Sequence, residues 1–405
     1  MAAITITVEQ LRTNWARQQG LLEPISGGVA DVLRASGWIN STGSTLPYLA
    51  IRARLPHVGR EDVERTVYQE ESVLEIQAMR GCMMLVPAED ASLALWSARQ
   101  TDHAARVRKS CQITDREETD LSAEVIALLE GGPLTADEMR ERLPERLVRP
   151  LGTAGKQFGE SSTLTFVLRQ LQKQGVLRRF ATNQRLDSNQ FSYKLSKPAP
   201  AEPESPEYAL RELASRFFRW AGPATLKEFA WWAGISQKAA KAAIGPLGLR
   251  SIAVPEWSPE AWIHEDRLDA LTSSKKLDES STFRFLPFRD NYLYFRRGLA
   301  VFLQPADLQQ KVPDWKNRAA PIGELESLHH NAIVLHGRLI GSWEYDPEAE
   351  KIVWSAHTSL TAGQRRELNS QIEELENHIR KELGDVQFYA FDTGRIRRER
   401  IDSLR

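Results

Sequence analysis

Between residues 208 and 244 the apolar positions recur at helical spacing in three short bursts separated by turn residues. Leu210, Leu213, Phe217 and Trp220 make the first inward face, and Gly222-Pro223 ends it. Thr225 and Glu228 stand at capping-box spacing and start a second helix that buries Phe229 and Trp232. Gly234 turns the chain, Ser236 can cap a third helix, and Lys238 and Lys241 lie three apart along it, beside an alanine face. This is the helix-turn-helix layout in which a basic recognition helix enters a groove of DNA. The same pattern also fits an ordinary helical hairpin with solvated lysines.

Upstream, Val125 to Leu195 reads as a second unit of this kind. A short helix through Leu128 and Leu129 precedes Thr135 and Glu138 at capping spacing, with Met139 and Leu143 inward. A third helix runs near Ser162 to Gln174, burying Leu164, Leu168 and Leu171 and ending at Gly175. The runs VLRRF and FSYKL, separated by a polar stretch, have the composition of a hairpin wing.

The N-terminal section starts with a capping box at Thr7 and Gln10 and turns Leu11 and Trp15 inward. A second short helix ends at Gly37. A further one, PYLAIRARL, carries Tyr48, Ile51 and Leu55 inward and Arg52 and Arg54 outward. VLEIQAMRGCMMLVP then gives two strand-like runs around Arg80-Gly81, and a long helix is expected from Ala88, with Arg106, Arg108 and Lys109 at its end. Beyond residue 281 the pattern turns β-rich, with a hairpin turn at His336-Gly337 and a polar helix over 361–383.

These elements predict an α+β protein of tandem winged-helix units with a β-rich C-terminal portion. The expected organisation is an N-terminal unit over 1–115, a second over 116–197, a proline-rich linker at 198–207, a third unit over 208–280 and the C-terminal portion over 281–405.

Charge changes the picture locally. The chain holds 53 basic and 54 acidic residues, a formal net charge of -1, so a nucleic-acid surface has to be a patch. The stretch 161–197 supplies one: Arg169, Lys173, Arg178, Arg179, Arg185, Lys194 and Lys197 face a single acid, Asp187. Such a patch suits phosphate contacts, and it also suits a solvated charged face. Cys82 and Cys111 form no CxxC, which argues against structural zinc or a disulfide framework and for a reducing cytoplasm. No signal peptide and no apolar window of about eighteen residues is visible. His329-His330 and His336 lack an adjacent carboxylate or cysteine in sequence and are expected in exposed or hairpin positions. No phosphate-binding loop or dinucleotide fingerprint is present, so no cofactor is expected.

Taken together, YLAIRARLP at 48–56, QAMRGCMMLVPAED at 77–90, RFFRWAGPATLKEFAWWAGI at 216–235, LPFRDNYLYF at 286–295 and VLHGRLIGSWE at 334–344 resemble the AlkZ/YcaQ-type winged-helix DNA glycosylase family. The resemblance implies a bacterial DNA-repair hydrolase that binds double-stranded DNA on a concave surface and removes alkylated or interstrand-crosslinked bases. It also implies a catalytic pair of glutamines, or glutamine and aspartate, where this chain has Asn40-Ser41-Thr42, and a histidine lost to Cys82-Met83-Met84. Asn40 retains an amide oxygen able to hold a water, and Thr42 a hydroxyl, while NSTGS equally suits a local turn. Asp290 matches an acidic position of the family and is read as structural, pairing with an arginine or capping a turn.

Two functions lead: a divergent glycosylase using Asn40 and Thr42, with Arg80, Arg169, Lys173, Arg178, Arg179, Arg185, Lys194, Lys238 and Lys241 on DNA, or a non-catalytic DNA-binding relative, sequestering lesions or regulating transcription. A protein-interaction scaffold is the third possibility. A cytoplasmic monomer, nucleoid-associated when bound, is expected.

Overall fold

A computed structural model describes residues 4–41, 44–272, 282–314, 318–384 and 393–405 of the chain. The fold is mixed α+β, and one arrangement of elements occurs three times along it: a helix, a short strand, two helices and a two-stranded hairpin. First come helix Val29–Ser36, strand Ile39–Asn40, helices Leu46–Arg52 and Arg60–Tyr68, and strands Val73–Gln77 and Met83–Pro87. Next are helix Asp115–Glu130, strand Leu134–Thr135, helices Ala136–Arg142 and Thr163–Lys173, and strands Leu177–Ala181 and Phe191–Leu195. The last has helices Pro206–Ala221, Leu226–Ala233 and Gln237–Ile244 and strands Leu249–Val254 and Ser258–His264, with Ala224 bridging Trp262 in place of the short strand. In the first two sheets the final strand lies in the middle, between the short strand and its hairpin partner.

Local chemistry starts the helices where the pattern expects. Full capping boxes form at Thr7/Gln10, Thr135/Glu138, Thr225/Glu228 and Thr361/Gln364, each N-cap contributing about 1 kcal/mol. Gly234 adopts the left-handed conformation that closes the helix before it.

Other elements differ from expectation. The helix before Thr135 starts ten residues earlier than Val125, at Asp115, because Thr114 and Glu117 form a capping box whose first turn is wholly polar and carries no periodic signal. Helix Arg60–Tyr68 was not anticipated, since it buries only Val63, Thr66 and Val67. The long helix from Ala88 is a single 3-10 turn followed by two short helices, Ala91–Ala98 and His103–Cys111.

The largest departure is the N-terminus. Strand Ile4–Thr5 pairs in parallel with Leu249–Val254, and Leu11 and Trp15 pack with Ile252, Ile263 and Phe302. Trp15 Nε1 donates to the Pro223 carbonyl at 2.9 Å. The opening helix thus lies with the third unit and the C-terminal portion, because periodicity identifies a buried face without saying what covers it.

The C-terminal portion is a four-stranded antiparallel sheet in the order Phe283–Leu286, Asn331–Leu335, Arg338–Asp346, Lys351–Ala356. His336 and Gly337 turn its central hairpin at φ of 50° and 77°. Ile333, Trp343, Leu368 and Ile372, from this sheet and helix Ala362–His378, share one core with Val32, Leu33, Tyr48 and Ile51 of the first unit.

Candidate functional site

Strand Ile39–Asn40 is held at the sheet edge by pairing with Leu85 and Met84. Successive residues of a strand point to opposite faces, and the two sides of the family's motif position do different things here. Asn40, half-buried, borders a small cleft together with Leu46, Ala50, Arg54 and the segment Pro287–Asn291. Asn291 Nδ2 donates to the carbonyls of Ser36 and Trp38, each at 3.0 Å, tying that segment to the strand. Ser41 faces the other way: its Oγ donates to Glu75 Oε1 at 2.8 Å. Glu75 is buried and also receives Arg179 Nη2 at 3.4 Å. Thr42 lies outside the described residues.

Arg54, expected outward, is only 1 % exposed. Its Nη1 and Nη2 donate to Asp290 Oδ2 and Oδ1 at 2.7 and 2.8 Å, and Nη2 also reaches Gln19 Oε1 at 2.9 Å. Arg54 stands in the turn just after helix Leu46–Arg52, folded back so that its Nη1 also donates to the Ala50 carbonyl at 2.9 Å, and a carboxylate 236 residues away makes its burial tolerable. Asp290 has the expected structural role in both forms, for its Oδ1 also accepts from the Tyr292 amide at 3.0 Å.

The hairpin joining Val73–Gln77 to Met83–Pro87 turns through Arg80 in the left-handed region, at φ 56° and ψ 19°. The Arg80 guanidinium lies over the Trp231 ring at 4.7 Å and donates to the Tyr294 hydroxyl. Gly234 stands at a φ of +71°, which favours glycine, and a Cβ there would press to 3.1 Å from Arg80 Cγ. Behind Arg80 is a cavity of about 310 Å³ bounded by Trp231, Phe288, Leu293, Tyr294 and Leu328. Trp231, Phe288 and Tyr294 were not singled out from the sequence. Trp231 carried a usable signal, being adjacent to the inward Trp232 and so off the buried stripe of its helix.

The basic stretch is less one-sided in space than in sequence. Arg178 Nη2 and Lys194 Nζ both reach Glu71, each at 2.7 Å, and Arg179 pairs with Glu75 while stacking over Phe191 at 4.0 Å. Arg169 pairs with the buried Glu160 at 3.0 Å, and Arg185 with Asp187 at 2.7 Å. Counting Asp187 alone missed Glu71 and Glu75, because they come from the first unit. Lys173 is buried, its ammonium destabilised first by burial and then by Arg169, and its Nζ would stand 3.4 Å from a Cβ on Gly81. Lys238 and Lys241 are exposed and in no ion pair among the described residues.

His330 departs from its expected exposed position. It is buried, with Nδ1 3.0 Å from Glu344 Oε1 and Nε2 3.2 Å from Ser403 Oγ. Among the described residues no group of His, Cys, Asp and Glu could hold a metal ion. His357, bonded to Ser342 Oγ at 2.8 Å, is held down to about 4 by burial first and His330 second. An unfolded histidine titrates near about 6.5. Between these values the unfolded chain binds the proton and the folded one does not, so stability falls as pH drops through the window. His357→Gln is expected to remove a share of that fall, about 3–4 kcal/mol at most. Urea midpoints followed from neutral pH down through this window would check it, and an unchanged slope would refute it.

The mixed α+β fold brings the motif position at Asn40, the Arg80 hairpin and the segment Pro287–Tyr294 together at one place. The signature of the AlkZ-like DNA glycosylases matches residues 33–378, and the chain belongs to that family. Among solved structures, it is similar to the Streptomyces sahachiroi DNA glycosylase AlkZ, with a TM-score of 0.69 and 20% identity over 95% of this chain and 99% of that one. No curated protein sequence matches it significantly. No helix among the described residues is long and apolar enough to cross a membrane.

Proposed function

We propose that this protein is a divergent DNA glycosylase that binds duplex DNA as a monomer through three winged-helix units and releases alkylated bases, crosslinked ones included. The observation that carries the reading is convergence. The altered motif position at Asn40 meets two of the stretches that resemble the family, the Arg80 hairpin and the segment Pro287–Tyr294, at one place. In the proposed reaction an N7-alkylated purine, cationic before departure, leaves with the electron pair of its glycosidic bond. Water adds to the sugar carbon and loses its proton to bulk solvent. Asn40 supplies the amide oxygen that orients this water, with Thr42 as the second polar group. Exposed Lys238 and Lys241 contact phosphate, and Arg80 reaches the lesion from the hairpin tip.

One observation favours the second reading, a DNA-binding protein without catalysis. Asp290, the carboxylate beside Asn40, is fully engaged by Arg54 and the Tyr292 amide. Both of its oxygens are already committed to contacts within the fold.

Release of N7-methylguanine from a duplex, scored as abasic-site strand breaks, separates the two when binding to the same duplex is measured in parallel. Release that falls about a hundredfold or more in Asn40→Ala, with binding kept, is the expected result. Binding without release, even at stoichiometric protein, would establish the non-catalytic reading. In the same binding assay the double change Lys238→Gln, Lys241→Gln is expected to lower affinity and to reduce the salt dependence by about two phosphate contacts. An unchanged salt slope would remove this helix from the DNA surface.

A further inference from the structure

The cavity behind Arg80 has the size and lining of a ligand site. At about 310 Å³ it falls at the small end of the range for such sites, about 300–1,000 Å³, which suits a single planar ring system better than a nucleotide. Pro287, Phe288, Leu293, Leu328 and Ala332 make its walls largely apolar. Two of the polar groups that border it are already satisfied: Asp290 by Arg54 and Tyr292, and His330 by Glu344 and Ser403. A guest inside it would therefore be held by shape and stacking rather than by new hydrogen bonds to these groups, and a sugar has little to gain there.

The mouth is aromatic and cationic. Trp231 and Tyr294 meet edge-on at 5.2 Å between ring centroids. Arg80 covers Trp231 at 4.7 Å, Arg297 approaches the same ring at 5.3 Å, and Arg289 lies 5.2 Å from the Phe288 ring. Arg80 has no carboxylate partner among the described residues; its guanidinium, a flat cation, covers the face of an indole. A nucleobase or other aromatic ring can take that place or stack on it, which is how aromatic and arginine platforms hold bases removed from a duplex. The backbone keeps Arg80 aimed there at some cost, since φ 56° is unfavourable for a side chain of this size. The back wall, Pro287–Asp290, is shared with the cleft that Asn40 borders.

We propose that this cavity is a receiving pocket for a planar aromatic group presented by damaged DNA, with Trp231 as its stacking floor and Arg80 as its movable cover. The inference rests on the glycosylase reading for its substrate and adds where the aromatic part of that substrate goes. Two sources carry the same chemistry: an aromatic adduct attached to a base, and a base pushed out of the stack.

The test uses the full chain and four duplexes of one sequence: unmodified, with one N7-methylguanine, with one N7-benzylguanine, and with one unpaired guanine. Dissociation constants are measured by fluorescence anisotropy at fixed salt. The wild-type protein is expected to bind at least one ring-presenting duplex about tenfold tighter than the unmodified one. Preference for the benzyl adduct over the methyl adduct identifies the adduct as the guest, and preference for the unpaired guanine identifies the extruded base. Leu328→Trp, which fills the cavity, and Trp231→Ala, which removes its floor without filling it, are both expected to bring the ratio to near one, and Trp231→Phe to restore part of it. Lys238→Gln should weaken binding to all four duplexes alike and leave the ratio. The pocket is overturned if the wild type shows no preference, or if the preference survives in a folded Leu328→Trp or in Trp231→Ala. A preference without base release would overturn the glycosylase reading alone, and release without a preference would overturn the pocket alone.

Discussion

Asp290→Ala is expected to destabilise the protein by about 3–5 kcal/mol, because it leaves the Arg54 charge buried without a counter-ion. Both side chains are 1% exposed, so water cannot replace the lost carboxylate. Gln19 Oε1 and the Ala50 carbonyl still accept from Arg54, but neither carries a charge. The Tyr292 amide loses its acceptor as well. The damage should be global, since the pair joins the turn after helix Leu46–Arg52 of the first unit to the segment that leads into Asn291–Tyr294. Urea denaturation measures it. Base release should decline only as far as the folded fraction does. A fully stable Asp290→Ala that has lost release would make Asp290 a chemical group and refute the structural assignment. Arg54→Met combined with Asp290→Leu should be more stable than either single change, because a buried apolar pair carries no desolvation cost.

The second large effect is expected at Glu228. Its carboxylate completes the capping box with Thr225 at 2.8 Å and also meets Arg296 Nη1 at 3.3 Å. Arg296 in turn donates to the Ala221 carbonyl and lies 3.8 Å over the Trp15 ring. Glu228→Ala removes a cap, worth about 1 kcal/mol, and strands a buried arginine at a further cost of about 3 kcal/mol. Glu228→Gln, which keeps an oxygen at both contacts, should lose clearly less. Glu138 has the same spacing from Thr135 but is exposed, so Glu138→Ala should shift the urea midpoint far less. Equal shifts for Glu228→Ala and Glu138→Ala would show that the buried arginine contributes nothing.

That contrast separates what a local pattern can express from what it cannot. Thr-x-x-Glu reads identically at 135–138 and at 225–228, since a capping box is settled within four residues. Whether the glutamate also neutralises an arginine depends on residue 296, which no local window contains. The altered motif shows the same limit. The identities Asn40-Ser41-Thr42 announce a changed site, but the alternation that sends Asn40 toward Pro287–Asn291 and Ser41 toward Glu75 needs the sheet. Glu75 drew no notice in sequence because it stands 34 positions from Ser41.

Local sequence was enough to set the helix starts at Thr7, Thr135, Thr225 and Thr361, the hairpins around Arg80-Gly81 and His336-Gly337, and the hairpin between Leu177 and Leu195. Each is governed by caps, turn residues and periodic burial over a few neighbouring positions. Contacts made across the fold set Ile4–Thr5 beside the strand Leu249–Val254, bury Arg54 against Asp290, bring Glu71 to Arg178 and Lys194, and close a cavity with Trp231 and Arg80 beside the Asn40 cleft. The physical reason is that charge pairing and cavity formation depend on distance in space. Arg178 and Glu71 are 107 positions apart along the chain and in direct contact in the fold.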